Sequence, residues 1–124
     1  MDEPTVLLVD DEKEFLDALG QRMEARGLKV ESASSGPEAL EKAIGQDYDV
    51  IVLDMMMPGM DGMETLQRLR KANPDIQVVL LTGHASLKKG IEAIKLGASD
   101  FLEKPADLDS LMTKIREARS ESVV

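Results

Sequence analysis

A short apolar stretch that ends in a carboxylate, Val50 to Asp54, constrains the fold of this chain more than any other feature. Its four large apolar residues are too few for a helix of ordinary length, and its valines and isoleucine favour extended structure. Such a run is typical of a strand buried on both faces of a parallel sheet. Turn-forming residues, Pro58 and Gly59, follow soon afterwards. The pattern therefore places Asp54 where a central strand meets a loop.

Composition narrows the class of protein. The chain of 124 residues has the length of one domain, and its hydrophobic content of 43% excludes a disordered chain. The absence of cysteine excludes disulfides and thiolate metal sites. A formal net charge of −9 opposes direct nucleic-acid binding. No targeting segment or membrane-length apolar run is present, so we expect a cytoplasmic protein without a membrane partner.

Strand-like and helix-like segments alternate along the chain. The predicted strands are residues 5–9, 29–33, 50–54, 78–81 and 101–102, and a segment with helical spacing of apolar residues follows each of them. This alternation predicts an α/β fold with a parallel sheet, five strands and five helices on both sheet faces. We expect a single domain over residues 1–124, of which residues 120–124 form a frayed tail.

The second helix has the clearest local signals. Residues 35–38, Ser-Gly-Pro-Glu, form a capping-box pattern with an early proline. The apolar residues after it predict a helix that ends near Gly45 and buries one face. The residues expected on that face are Ala39, Leu40, Ala43 and Ile44.

Polar residues that follow the apolar strands define a candidate site. Because the carboxyl ends of parallel strands lie on one edge of a sheet, Asp10, Asp11, Asp54, Thr82 and Lys104 are expected to converge. Carboxylates about 4 Å apart repel by roughly 4 kcal/mol at an effective dielectric constant of about 20. We therefore expect the cluster to bind a hard divalent cation that offsets this repulsion, Mg²⁺ or alternatively Mn²⁺. Without metal, replacing Asp10 or Asp11 is expected to raise stability.

This set of groups suits phosphoryl transfer. Asp54 can act as the nucleophile that accepts the phosphoryl group, while a cation and Lys104 neutralise charge on its oxygens. Thr82 supplies a hydroxyl donor. The single histidine, His84, is not paired in sequence with a serine or cysteine nucleophile, so the pattern does not indicate general-base catalysis.

Four segments carry a resemblance to a known family: residues 6–12, 53–62, 81–84 and 97–105. Together they resemble the response-regulator receiver domains of bacterial two-component signalling over nearly the full chain. The resemblance implies a doubly wound, flavodoxin-like sheet of strand order 2-1-3-4-5. It also implies a phosphorylation-controlled switch rather than an enzyme, with only weak intrinsic self-phosphorylation and autodephosphorylation.

The resemblance implies a role for each matching site residue. Asp54 would be the phosphoacceptor. Asp11, Asp54 and the backbone carbonyl of Met56 would hold Mg²⁺, with Asp10 assisting through water. Lys104 would pair with the phosphoryl oxygens, and its bond to the following proline would be cis.

Two further residues would transmit the signal. Thr82 would move toward the phosphoryl group, and Phe101 would follow it from an outward to an inward rotamer. The face built from the fourth helix, fifth strand and fifth helix would then change its affinity for a partner. Phe101 stands where many relatives have tyrosine, so a hydroxyl-mediated partner contact is not expected here.

The implied partners are a sensor histidine kinase or phosphotransfer protein, and a downstream protein or output domain. The resemblance also allows a phosphorylation-dependent dimer. Two alternatives stay open: a Mg²⁺-dependent phosphatase with an aspartate nucleophile, and a flavin or nucleotide carrier. The first lacks an acid at Met56, two residues after Asp54. The second lacks a Ser/Thr/Gly-rich phosphate loop after the first strand, and the chain has almost no aromatic residues for stacking.

Overall fold

Strands and helices alternate in the computed structural model, which describes residues 4–55, 62–83, 87–104 and 107–122. The strands of this part of the chain are β1 (Thr5–Val9), β2 (Lys29–Ala33), β3 (Val50–Asp54), β4 (Val78–Thr82) and β5 (Asp100–Glu103). The helices are α1 (Lys13–Ala25), α2 (Gly36–Gly45), α3 (Gly62–Ala72), α4 (Leu87–Lys95) and α5 (Leu108–Ser122). Met56, Pro105 and residues 123–124, which carried sequence-based expectations, lie outside the described residues.

The strands form one parallel sheet in the order β2-β1-β3-β4-β5. This confirms the predicted doubly wound, flavodoxin-like topology. Every residue of β3 and of β4 is buried, as their continuous apolar sequences indicate. Strand β2, predicted to lie toward an edge, has a free edge and mostly exposed residues.

Two apolar cores lie on opposite faces of the sheet, because alternate residues of each strand point to opposite sides. In β1, Val6 and Leu8 join the core beneath α1 and α5. Leu7 and Val9 join the second core, which α2, α3 and α4 cover. The helices are thus divided between the faces, and the carboxyl edge of the sheet stays available for polar groups.

Helix α2 begins and ends as predicted, but its buried face is narrower. The Ser35 hydroxyl accepts a hydrogen bond from the Glu38 N–H at 3.2 Å, and a Glu38 carboxylate oxygen accepts one from the Ser34 N–H at 2.7 Å. Ala39 is buried, whereas Ile44 is 75% exposed, so its predicted burial is wrong. The reason is geometric: five positions along a helix turn the side chain about 140° from that of Ala39.

Helix α5 is longer than the sequence pattern indicates. It continues to Ser122, so residues 120–122 of the expected tail are helical. Its start is capped by Asp107, a carboxylate oxygen of which accepts a hydrogen bond from the Ser110 N–H at 3.0 Å. Among the described residues, none of the helices combines the length and apolar character needed to cross a membrane.

Candidate phosphoryl-accepting site

Four side chains reach the carboxyl edge of the sheet from four strands. Asp10 follows β1, Asp54 and Thr82 are the last residues of β3 and β4, and Lys104 follows β5. Asp10, Asp54 and Thr82 are almost fully buried, with exposed fractions of 0%, 2% and 1%. Buried carboxylates are costly unless they are paired or hydrogen-bonded, so their placement requires partners.

Lys104 is the partner that the two buried carboxylates share. Its Nζ atom lies 2.7 Å from Asp10 Oδ2 and 3.4 Å from Asp54 Oδ1. The backbone N–H of Lys104 also donates to the Thr82 carbonyl at 2.7 Å, which fixes the backbone of Lys104 against the end of β4. The structure therefore joins the ends of β1, β3 and β5 through one ammonium group.

Electrostatics keep this ammonium charged. Burial of Lys104 opposes its charge, but the hydrogen bonds and the charges of Asp10 and Asp54 together outweigh burial. The pKa of Lys104 consequently lies above its ordinary value. A permanently charged lysine beside Asp54 can stabilise negative charge that builds up on an incoming group.

The described residues also contain a group of oxygen ligands beside the lysine. Carboxylate oxygens of Asp10, Asp11 and Glu12 all lie within 4.8 Å of one another. Asp11 and Glu12 are exposed, whereas Asp10 is buried and its Oδ1 accepts a hydrogen bond from the Glu12 N–H at 3.0 Å. An all-oxygen set of this kind fits Mg²⁺, for which the exposed acids provide an entry path.

This ligand group differs in part from the predicted one. Glu12 belongs to it and was not among the predicted ligands, although its place in an acidic run after β1 was a signal in the sequence. Asp54 is not a member of this group, and it is connected to Asp10 through Lys104. The carbonyl of Met56 lies outside the described residues.

Thr82 and Phe101 lie on the same face of two neighbouring strands. Leu80 pairs with Phe101 across β4 and β5, and Thr82 lies two residues further along β4, on the same face as Leu80. The Thr82 hydroxyl donates to the Leu102 carbonyl at 3.4 Å, so in this structure it contacts β5. Phe101 is half-buried against the core beneath α2, α3 and α4.

One contact of the site had no signal in the sequence. The ring centroid of Phe15, in the first turn of α1, lies 4.4 Å from the Lys104 Nζ atom. Helical spacing predicts Phe15 to lie on the apolar face of α1, and it does pack on the core beneath α1 and α5. The spacing contains no information on which distant lysine would reach the ring.

The fold and this edge of the sheet define a class of protein. The family of response regulator receiver domains matches residues 6–116, and this chain belongs to that family. Receiver domains are regulatory switches of two-component systems controlled by phosphorylation, and they bind Mg²⁺ in an acidic pocket.

Individual relatives agree with this family. The chain is 40% identical over 114 residues to the C4-dicarboxylate transport transcriptional regulatory protein DctD of Pseudomonas aeruginosa, covering 91% of this chain and 24% of that protein. It is 36% identical over 111 residues to the response regulator MprA of Mycobacterium leprae, covering 90% of this chain and 49% of that protein. The chain thus spans about a quarter and about half of the length of these two relatives.

Solved structures show the same architecture. A response regulator receiver domain protein from Clostridium thermocellum superposes with a TM-score of 0.91 at 33% identity, covering 97% of each chain. A CheY-like receiver domain protein from Methanospirillum hungatei superposes with a TM-score of 0.90 at 30% identity, covering 98% of each chain.

Proposed function

We propose that Asp54 is the phosphoacceptor of this receiver domain and that Lys104 and Thr82 assist the transfer. The observation that carries this proposal is the buried Asp54 carboxylate, whose Oδ1 lies 3.4 Å from the Lys104 ammonium. Asp54 is the last residue of β3, so its carboxylate lies at the carboxyl edge of the sheet with the Lys104 ammonium group beside it. The donor would be a phosphohistidine of a sensor kinase or phosphotransfer protein.

The transfer requires no proton from Asp54. A carboxylate oxygen of Asp54 attacks phosphorus, a P–O bond forms, and the P–N bond to the donor histidine breaks. The leaving imidazole nitrogen takes a proton from solvent. Lys104 neutralises charge on the phosphoryl oxygens during this step, and the Thr82 hydroxyl donates to one of them after leaving the Leu102 carbonyl.

The acids after β1 would hold Mg²⁺. When bound, this ion supplies positive charge to the phosphoryl oxygens and shields the carboxylates from one another. Asp10, Asp11 and Asp54 are the ligands that we propose, with the Met56 carbonyl, and Glu12 is added by its position in the oxygen cluster. Asp10 already accepts hydrogen bonds from Lys104 and from the Glu12 N–H, which supports an indirect contribution through water.

Phosphorylation would act on partners through Thr82 and Phe101. Their shared sheet face supports a linked movement, in which Phe101 turns inward when Thr82 turns toward the phosphoryl group. Large apolar side chains are exposed on and directly after α4: Ile91 at 49%, Ile94 at 42% and Leu96 at 39%. They support the α4, β5 and α5 face as the surface for a downstream protein, an output domain or a second copy.

Labelling with a small phosphodonor tests the proposal. Acetyl phosphate and Mg²⁺ should add one phosphoryl group to the protein, detected by intact mass, and Asp54→Asn should abolish this addition with the circular dichroism spectrum unchanged. Asp17→Asn, a change of an exposed acid on α1, is the matched control and should label normally. Label on the Asp54→Asn variant at the normal rate would refute the assignment.

The same experiment separates the alternatives. Slow loss of the label, with at most weak intrinsic turnover, is expected of a switch. Many rapid turnovers of acetyl phosphate without accumulation of label would favour the phosphatase. A protein that is neither labelled nor hydrolytic would favour the carrier.

A further inference from the structure

We propose that Phe15 is a positioning residue for Lys104: the face of its ring holds the ammonium group between Asp10 and Asp54. This inference rests on the proposed role of Lys104 in phosphoryl transfer. The observation behind it is the distance of 4.4 Å between the Lys104 Nζ atom and the ring centroid of Phe15, well within the range of a cation–π contact.

Lys104 needs such a contact because carboxylates alone do not fix its position. Its ammonium is carried by a flexible four-carbon stem, and it lies closer to Asp10 than to Asp54, at 2.7 and 3.4 Å. The hydrogen bond to Asp10 anchors one side of the ammonium group, whereas the longer contact with Asp54 constrains it less, so these two contacts leave it free to shift away from Asp54. The ring adds a third point of support and limits this movement.

An aromatic ring suits this position better than another acid. Four carboxylates already surround the edge of the sheet, those of Asp10, Asp11, Glu12 and Asp54. A ring attracts the ammonium through its quadrupole but adds no net charge and offers no lone pair to a divalent cation. Phe15 can therefore hold the lysine without competing for metal.

The fold makes the ring a stable platform. Phe15 lies in the first turn of α1, two residues after the helix begins, and packs against the core beneath α1 and α5. The backbone of Lys104 is fixed separately, by the hydrogen bond that its backbone N–H donates to the Thr82 carbonyl. The side chain of Lys104 thus extends from a fixed backbone to a fixed aromatic ring, and it is only 21% exposed.

Two substitutions separate the ring from its apolar bulk. Phe15→Tyr keeps an aromatic face, whereas Phe15→Leu keeps apolar packing without it. The rate of Asp54 labelling is measured against acetyl phosphate concentration in Mg²⁺. We expect Phe15→Leu to lower the maximal rate about threefold to tenfold with little change in the donor concentration for half-maximal rate. Phe15→Tyr should stay within about twofold of the original protein.

A second background shows whether Phe15 acts through Lys104. In a Lys104→Met protein, Phe15→Leu should cause no further loss of rate, because the group that the ring positions is gone. Stability without metal gives a second measurement. The change in urea midpoint caused by Phe15→Leu should be smaller in the Lys104→Met protein than in the original protein. Circular dichroism at the labelling temperature confirms that each variant is folded.

The outcomes distinguish this inference from the proposed function. Equal labelling rates for the original protein and Phe15→Leu would overturn the positioning role and leave the role of Asp54 intact. The same fold-loss in the Lys104→Met background would reduce Phe15 to a packing residue and would also overturn it. Failure of the original protein to label would refute the proposed function itself, and the inference would fall with it.

Discussion

The Nζ atom of Lys104 lies 2.7 Å from Oδ2 of Asp10, which joins two residues 94 positions apart in the chain. In the sheet order, β3 and β4 lie between β1 and β5, the strands that these two residues follow. The lysine therefore reaches across the carboxyl edge and neutralises the most buried acid of the site. This contact changes what removal of the neighbouring acids should do.

Substitution of Asp10 and of Asp11 should affect stability in opposite directions. The sequence predicts that removing either acid relieves repulsion, but Asp10 is fully buried and bonded to Lys104. We expect Asp10→Ala to lower the unfolding free energy by about 1–3 kcal/mol in EDTA, because the lysine loses its shortest contact. Asp11→Ala, an exposed change, should raise stability slightly. Urea denaturation followed by circular dichroism measures both, and changes of the same sign would contradict the pairing.

Helix α2 should show a local dependence of stability on pH. The Ser34 N–H, the Ser34 hydroxyl and the Lys42 charge hold the pKa of Glu38 below its ordinary value of 4.5. Because the pKa is lowered on folding, this contribution is complete above pH 4.5 and is lost as the pH falls through the lower folded value.

Glu38→Gln tests this dependence. The variant should be less stable than the original protein at neutral pH, and the difference should shrink in acid. Glu41→Gln, an exposed change on the same helix, is the control and should leave the acid limb of the stability profile unchanged. A constant difference between Glu38→Gln and the original protein from neutral to acid pH would argue against the charged cap.

Phosphorylation should change the surroundings of Phe101. The chain has only two phenylalanines, Phe15 and Phe101, so fluorophenylalanine labelling gives two resonances, and Phe15→Leu assigns them. Acetyl phosphate should shift the Phe101 resonance. Thr82→Ala should abolish that shift while Asp54 is still labelled, and Thr82→Ser, which keeps the hydroxyl, should restore it. If the Phe101 resonance still shifted fully in Thr82→Ala, the proposed coupling between Thr82 and Phe101 would be refuted.

The approach of α3 to the end of β3 should make Gly62 sensitive to substitution. A Cβ atom at Gly62 would lie 2.4 Å from Met55 Cα and 2.8 Å from the Asp54 carbonyl oxygen. Since both are backbone atoms, Gly62→Ala should cost about 1–3 kcal/mol and slow labelling of Asp54. Gly45→Ala, where a Cβ atom has no neighbour within 4 Å, is the control. Similar denaturation midpoints and labelling rates for the two variants would refute this steric argument.

Much of the fold could be predicted because its signals are local. Runs such as Val50–Leu53 and Val78–Leu81 define buried strands, and parallel strand direction then brings their polar ends to one edge. The strand order needed more than periodicity, and it came from the four segments that resemble receiver domains. The exposure of Ile44 was missed because a face estimated from apolar residues alone is wider than the face that packs.

Contacts within the site were less predictable because they depend on where long side chains end. That Asp10 and Lys104 would meet followed from strand ends, but the shorter distance to Asp10 than to Asp54 did not. The Phe15 contact with Lys104 also depends on where the chain places Lys104 directly after β5. Helical spacing identifies the buried side of α1 without identifying its neighbours.

The position of Lys104 after the last strand has a consequence for synthesis of the protein. A ribosome-bound chain that ends before β5 already contains Asp10 and Asp54 but has no lysine to place between them. The two acids would then lack the ammonium group that they share, and on the proposed function such a chain would be a poor phosphoryl acceptor. On the proposed role of Asp54, phosphoryl transfer would thus depend on the docking of β5, which brings Lys104 to the two acids.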